Sequence, residues 1–240
     1  MTAPEDASAR DPKPDTTDRL TLADWRRRIA ELYAAVRMLA TDDPEVAWDH
    51  WRVTRDELFR THPQSPVPAS AREAFRGRYW PYDPGFRFEV EVRPPQGLGL
   101  SGQWPGLREL PADPHSKGQG IDLPTSSGEA MTFAPIGEVS VPFSAGQRPL
   151  GLFWMAGYVG GLFLPFRDSS NGSATYGAGR YLLDTAKSAD LGTDPSGNQL
   201  ILDFNFAFQP SCAFDPRWSC PLAPPGNRLD LMIEAGERLT

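Results

Sequence analysis

Two segments near the N-terminus carry apolar residues at the three- and four-residue spacing of an amphipathic helix. In the first, residues 22–39, an arginine-rich face lies opposite the apolar one. The second begins near Asp43 and Pro44, which suit an N-cap and a first helical turn. We expect it to end before Pro63, because a proline disfavours helical geometry in the residue that precedes it.

From Phe86 onward the spacing changes to the two-residue alternation of a half-buried strand. Phe86, Phe88, Val90 and Val92 alternate with charged residues. Further apolar segments are separated by glycine-containing turns, which favours antiparallel strands joined by hairpins. They lie at residues 131–133, 139–143, 150–155, 162–166 and 200–208. The pattern predicts a mainly β fold, an antiparallel β-barrel or β-sandwich preceded by two N-terminal α-helices.

The same pattern divides the chain into three parts. Residues 1–17 are rich in Asp, Glu, Pro, Ser and Thr, and we expect a disordered tail there instead of a signal peptide. Residues 18–62 form the helical segment, packed on the core. Residues 63–240 form a single β-rich domain with a proline-rich C-terminal segment. A chain of 240 residues can bury such a core without a structural metal or disulfide.

Charge and hydropathy narrow the classes of partner. The formal net charge is −7 and the basic residues do not gather in a stripe, which argues against nucleic acid. The longest apolar run, residues 150–166, is broken by glycines and a proline and is shorter than the roughly 20 residues of a membrane span. We therefore expect a cytoplasmic protein with a small-molecule ligand and no membrane partner. The oligomeric state is left open.

Two polar residues near the C-terminus are the first candidates for a site. In the predicted strand 200–208 the even-numbered residues are apolar, whereas Asp203 and Asn205 lie on the other face with Ile201. That face contacts solvent or lines a cavity, and the apolar Ile201 favours the cavity. There Asp203 would serve as an acid or base, or would orient a ligand together with Asn205.

The proline-rich segment that follows contains both cysteines of the chain. Cys212 and Cys220 lie farther apart in the sequence than the two to about four intervening residues of zinc motifs, and the chain has 3 histidines. We predict no metal and no cofactor. To act as a nucleophile, either thiol needs a partner that lowers its pKa, and His62 is the candidate. The alternatives are packed thiols or a disulfide; we expect thiols that are reduced and close together.

A second polar cluster lies at residues 165–181. Asn171 and Gly172 favour a tight hairpin turn, because both tolerate a positive φ. The charged residues of the cluster either form ion pairs that stabilise the fold or bind a carboxylate-like oxyanion through a planar guanidinium. The candidate ligand-binding residues of this cluster are Arg167, Asp168, Tyr176, Arg180 and Tyr181.

Several motifs resemble an uncharacterised family of bacterial and archaeal proteins, known as a domain of unknown function. They are YWPYDPGFR at 79–87, LPFRD at 164–168, YGAGRY at 176–181, DFNFAFQPSCAF at 203–214, CPLAPPGNRL at 220–229 and EAGE at 234–237. The resemblance covers most of the chain after residue 50, and Gln209 and the loop 94–120 depart from the family's pattern. It implies no reaction, but it does imply one neighbourhood containing His62, Arg167, Asp168, Tyr176, Arg180, Tyr181, Asp203, Asn205, Cys212, Cys220 and Asn227.

Our first functional hypothesis is the binding of a small polar or anionic molecule in a cavity of the β-barrel. Arg167 and Arg180 would hold an anionic group, and Asp203 and Asn205 would orient it.

Two other hypotheses remain. The same pocket would serve an enzyme, either a thiol-dependent hydrolase or transferase through Cys212 or Cys220, or an acid/base catalyst through Asp203. Alternatively the protein is an interaction module that uses Trp104, Trp218 and the proline-rich segments. This last hypothesis is the weakest, because no large exposed apolar run is evident.

Overall fold

The structure is a computed structural model that describes residues 16–93, 120–155 and 159–239. Most of the expected tail, the loop 94–119 and Trp104 lie outside the described residues. The last two residues of that expected tail, 16 and 17, begin the first helix.

Two helices open the described chain, α1 at Thr16–Leu39 and α2 at Pro44–Thr61. The Asp43 carboxylate caps α2, accepting the backbone N–H groups of Glu45 and Val46 at 3.0 and 3.1 Å. Helix α2 ends before Pro63, as its sequence predicts. The four-residue connection 40–43 folds the two helices against each other as a hairpin.

Nine strands follow in the described residues, and every pairing between them is antiparallel. They are β1 (Arg78–Tyr79), β2 (Arg87–Arg93), β3 (Ile121–Pro124), β4 (Ala130–Phe143), β5 (Gly146–Met155), β6 (Leu162–Phe166), β7 (Arg180–Asp184), β8 (Gln199–Asp203) and β9 (Glu237–Arg238).

Seven of these strands form one curled sheet, a half-barrel, in the order β7-β6-β5-β4-β2-β8, with β3 also paired to β4. β1 and β9 form a separate two-stranded sheet. Beyond β8 the chain returns to the other end of the curled sheet, where Phe208 exchanges two backbone hydrogen bonds with Tyr181 of β7. The mainly β class with two N-terminal helices is confirmed.

Three local expectations are wrong. The predicted strand 200–208 ends at Asp203, because the Asp203 carboxylate accepts the N–H of Asn205 and caps a 3₁₀ turn over Phe204–Phe206. The apolar segments 131–133 and 139–143 belong to one strand, β4, with an irregularity between Pro135 and Gly137. Asn171 and Gly172 do not join β6 to β7 in a tight hairpin, because the whole segment 167–179 connects those strands. They lie in a short turn within it, in which the Gly172 N–H donates to the Thr175 carbonyl at 2.9 Å.

The two faces of β8 contact different parts of the core. Leu200 and Leu202 pack inside the half-barrel with phenylalanines of neighbouring strands. Ile201 on the opposite face packs against the helix hairpin, where Trp51 is fully buried. The helices therefore cover the outer side of β8, and phenylalanine and leucine side chains fill the inside of the half-barrel.

The C-terminal segment crosses the open side of the sheet. Leu229, Ile233 and Ala235 pack in the interior cluster. The backbones of Arg228 and Arg167 form an isolated parallel β-bridge. Neither helix in the described part of the chain is long and apolar enough to span a lipid bilayer.

Candidate functional site

Arg180, the first residue of β7, is fully buried. Its guanidinium pairs with the carboxylate of Asp168 at 2.5 Å and donates to the carbonyls of Ala235, Glu237 and Ile233. The aromatic faces of Trp80 and Phe166 lie on either side. Arg180 therefore holds the C-terminal segment against β7. This is the first of the two interpretations offered by the sequence, an ion pair that stabilises the fold.

Arg167 does not join Arg180 in an anion site. Its guanidinium donates to the carbonyl of Gly177 at 3.0 Å on the exposed side of the connection 167–179. The Asp168 carboxylate is shared between Arg180 and Ser170, which donates both its N–H and its hydroxyl. Arg167 therefore contacts the connection 167–179, whereas Arg180 contacts the C-terminal segment.

The face of β8 that carries Asp203 is covered by protein. The Asp203 carboxylate accepts the side-chain N–H of Asn205 at 2.8 Å and the hydroxyl of Tyr82 at 3.2 Å, and Arg87 lies 3.6 Å away. Burial raises the pKa of Asp203, and the hydrogen bonds from Asn205 oppose that shift. The Asn205 carboxamide in turn exchanges hydrogen bonds with both backbone groups of Asp83.

Asn227 uses its carboxamide in the same way. It accepts the N–H of Gly151 at 2.8 Å and donates to the carbonyls of Gly151 and Pro165 at 2.9 and 2.8 Å. Every polar group of this buried side chain is therefore satisfied by backbone of β5 and β6.

Both ring nitrogens of His62 have hydrogen-bond partners near the two helices. Its Nδ1 accepts the backbone N–H of Gln64 at 3.0 Å, so its Nε2 carries the proton and faces the Asp24 carboxylate at 3.2 Å. Its ring packs against Trp25. Within the described residues no contact joins His62 to either cysteine, so the cysteine–histidine pair suggested by the sequence is not formed.

Cys212 and Cys220 are in direct contact, as predicted. The Cys212 N–H donates to Sγ of Cys220 at 3.4 Å, and the two thiols hydrogen-bond to each other. Each residue is 7% exposed and both are free thiols. The Cys220 N–H donates to the Ser126 hydroxyl at 3.0 Å, which fixes Cys220 beside the turn that follows β3.

The two sulfurs have unequal environments. The hydrogen bond from Cys220 lowers the pKa of the Cys212 thiol to about 6, against burial, and a hydrogen bond from Tyr176 adds to this effect. The same bond to Cys212 raises the pKa of Cys220, and burial raises it further. Tyr176 keeps its proton, because burial raises the pKa of its phenol to about 12.

A cavity of about 80 Å³ lies between the helix hairpin and the curled sheet. Its walls are mainly aromatic and aliphatic, and Tyr181 separates it from the cysteine pair. The lining side chains include those of Trp25, Tyr33, Trp51, Arg55, Phe208 and Gln209.

Polar atoms without partners line this cavity. Within the described part of the chain, Nε of Arg55 and Oε1 of Gln209 are buried and lack a hydrogen-bond partner. The Tyr33 hydroxyl accepts the indole N–H of Trp51 at 3.1 Å, and no acceptor for its own hydrogen is found there. Glu237 balances the charge of Arg55 at 2.9 Å and accepts the backbone N–H of Gln209 with the same oxygen.

The sequence interpretation missed Arg55 and Ser126. Arg55 follows Trp51 by four residues and precedes Phe59 by four, so a charged residue lies on the buried stripe of α2. That placement is the signal that was available. No sequence signal marks Ser126, because its role depends on a hydrogen bond with Cys220, which lies 94 residues away along the chain.

No group of three or more His, Cys, Asp or Glu side chains comes close enough to hold a metal ion within residues 16–93, 120–155 and 159–239. The two thiols remain without a third ligand of that kind.

Comparison with known proteins identifies the family. A family model described as "Protein of unknown function (DUF1684)" matches residues 107–238. The solution NMR structure of an uncharacterized protein of Haloarcula marismortui is 31% identical, with a TM-score of 0.55, and the match covers 83% of this chain and 96% of that one. No curated protein matches the sequence. The chain belongs to this family of proteins of unknown function.

Proposed function

We propose that the protein binds a small polar molecule in the cavity between the helix hairpin and the half-barrel. The observation that supports this is the pair of unpartnered buried atoms that line it, Nε of Arg55 and Oε1 of Gln209. A buried polar atom without a partner costs about 1–3 kcal/mol. A ligand that supplies the missing partners would recover that free energy on binding.

The chemistry of these atoms defines the ligand's head group. Arg55 and Tyr33 each offer a hydrogen-bond donor, whereas the oxygen of Gln209 offers an acceptor. A head group that both accepts and donates, such as a primary carboxamide, satisfies all three. A group that only accepts would leave the Gln209 oxygen facing another oxygen.

Charge argues for a neutral head group over an anionic one. The guanidinium of Arg55 is already neutralised by Glu237, and both side chains are buried. An additional anion would therefore enter a desolvated environment without a free counter-charge, which is unfavourable.

The volume and the walls define the remaining part of the ligand. The cavity holds about half of the roughly 150 Å³ that accommodates benzene in an engineered protein cavity. It therefore suits a head group of a few heavy atoms, with apolar carbons against Trp51 and Phe208. Lys187 lines the cavity and is itself exposed, so a longer ligand would extend to the surface there.

Titration with three probes of matched size tests this proposal. Propionamide accepts and donates, 2-butanone only accepts, and propionate is an anion. We expect saturable shifts of the Trp51 indole and Gln209 side-chain NMR signals with propionamide, with a Kd on the order of millimolar. The ketone should bind more weakly and propionate most weakly.

A control variant separates the cavity from the surface. Gln209→Met removes the acceptor at similar volume and should weaken propionamide binding, whereas Gln199→Met changes an exposed glutamine at the start of β8 and should not. Saturation by none of the three probes would mean that water satisfies the cavity, and the proposal would be wrong.

A further inference from the structure

We propose that Cys212 and Cys220 form a redox-active dithiol that exchanges with low-molecular-weight disulfides, with Cys212 as the attacking sulfur and Cys220 as the resolving one. This inference rests on residues other than those assigned to the ligand cavity, and it stands or falls independently of ligand binding.

The first support is the contact between the two sulfurs. They come from opposite ends of the loop 213–219, and each is held by backbone: Cys212 in the 3₁₀ turn Ser211–Ala213, and Cys220 by Ser126. The Cys212 N–H pointing at Sγ of Cys220 keeps the pair together without a covalent bond.

The second support is the difference between the two sulfurs. Cys212 accepts hydrogen bonds from Cys220 and Tyr176, both of which favour its thiolate. Cys220 donates to Cys212 and therefore keeps its proton. An inert core cysteine needs no such set of donors, and burial in apolar surroundings alone would disfavour the thiolate.

Other titratable groups around the pair come from β7 and the turn that follows it. Tyr181 packs against both cysteines with its hydroxyl donating to the carbonyl of Pro221. Lys187 lies within electrostatic range of Cys220 and is paired with Asp184. The loop 213–219 adds a second ion pair, between Arg217 and Asp215 at 3.4 Å. The described surroundings of the sulfurs thus include two ion pairs and two protonated tyrosines, and no free carboxylate that would oppose a thiolate at Cys212.

Access is through the loop between the cysteines. Pro216, Arg217 and Ser219 are exposed, and Trp218 is half-buried over the pair. A small disulfide needs displacement of this loop, which breaks its hydrogen bonds to the turn after β3: the Ser126 hydroxyl donates to the Trp218 carbonyl at 3.0 Å, and the Ser127 and Ser219 hydroxyls bond at 2.7 Å.

The reaction balances in two steps. The Cys212 thiolate attacks one sulfur of a disulfide RSSR, forming a mixed disulfide and releasing RS⁻. Cys220 then gives its proton to the released thiolate and attacks Sγ of Cys212, forming the intramolecular disulfide and releasing the second RS⁻, which takes up from solvent the proton that Cys212 lost on ionising. The two protein thiols are oxidised, and one RSSR is reduced to two RSH. In a reducing compartment, which we propose for this protein, the resting state is the dithiol.

Oxidised glutathione is the probe for the test. The full chain is incubated at about pH 6, quenched with acid and alkylated, and the products are mapped by mass spectrometry. We expect a Cys212–Cys220 disulfide in the wild type. In Cys220→Ser the mixed disulfide should accumulate at Cys212, and it should form about tenfold faster than the mixed disulfide at Cys220 in Cys212→Ser.

A control within the wild type covers the case in which a variant does not fold. Brief treatment of the folded wild type with limiting oxidised glutathione, followed by trapping, should place the first adduct on Cys212. A folded wild type that forms no intramolecular disulfide, or a first adduct on Cys220, would overturn the proposal.

Discussion

At the scale of single residues, Asn205 and Asn227 each present a carboxamide to backbone groups that have no strand partner. Asn205 pairs with both backbone groups of Asp83, and Asn227 pairs with Gly151 and Pro165 where β5 and β6 part. A carboxamide reproduces the donor and acceptor of a peptide group, which explains why asparagine suits both positions. These residues hold irregular segments in place, and the sequence pattern alone does not distinguish that role from ligand binding.

The ion pair between Asp168 and Arg180 leads to a prediction about stability. Asp168→Ala should lower the free energy of unfolding by about 3–5 kcal/mol, because it leaves the buried guanidinium without a counter-charge. Urea denaturation measures the change. The control is Asp230→Ala. The Asp230 side chain pairs with Arg148 but is 73% exposed, so its removal should lower the free energy of unfolding far less. Equal effects in the two variants would show that the buried pair has no special role.

The thiol of Cys212 leads to a prediction about pH. Its lowered pKa of about 6 keeps the reactive thiolate populated at neutral pH, so alkylation by iodoacetamide should reach half its plateau rate near pH 6. Below that pH the sulfur is protonated and the alkylation rate falls. Well above it the thiolate is fully formed and the rate increases little further. The chain unfolded in urea should instead give a midpoint near the ordinary value of about 8.5. A midpoint above 8 in the folded protein would contradict the stabilised thiolate.

At the scale of elements, local signals predict some boundaries and miss others. The bounds of α2 follow from Asp43 and Pro63, and β6 has its predicted range. β7 was not predicted because all five of its residues are buried, which removes the alternation that marks a half-buried strand. The end of β8 depends on a side-chain cap from Asp203 that alternation does not reveal. Burial on both faces and local capping therefore limit what periodicity predicts.

The start of α2 gives a prediction at this scale. Asp43→Ala should destabilise the protein by about 1 kcal/mol, because the Asp43 carboxylate accepts two N–H groups of the first helical turn. Asp42→Ala is the matched control, since its exposed side chain forms no hydrogen bond within the described residues. Thermal or urea unfolding measures both. A loss in Asp42→Ala as large as in Asp43→Ala would point to surface charge as the cause and not the cap.

At the scale of the whole molecule, the candidate sites lie where layers meet. The ligand cavity lies between the helix hairpin and the sheet, with Arg55 from α2 and Gln209 from the C-terminal segment. The cysteine pair lies between that segment and the turn after β3. The sequence predicts the layers and the contact between the cysteines. It does not predict the cavity, because residues 154 positions apart along the chain form it, and only their packing brings them together.

The location of the site is tested most directly by the affinity for propionamide of the wild type, Gln209→Met and Arg167→Met. Arg167 is one of the two arginines that the sequence offers for ligand binding, with Arg180, whereas Gln209 is the side chain whose oxygen lines the cavity without a partner. We predict equal Kd values for the wild type and Arg167→Met. Gln209→Met should bind about tenfold more weakly, through the loss of a buried hydrogen bond worth about 1.4 kcal/mol. Loss of binding in Arg167→Met with full binding in Gln209→Met would place the site elsewhere and contradict the cavity.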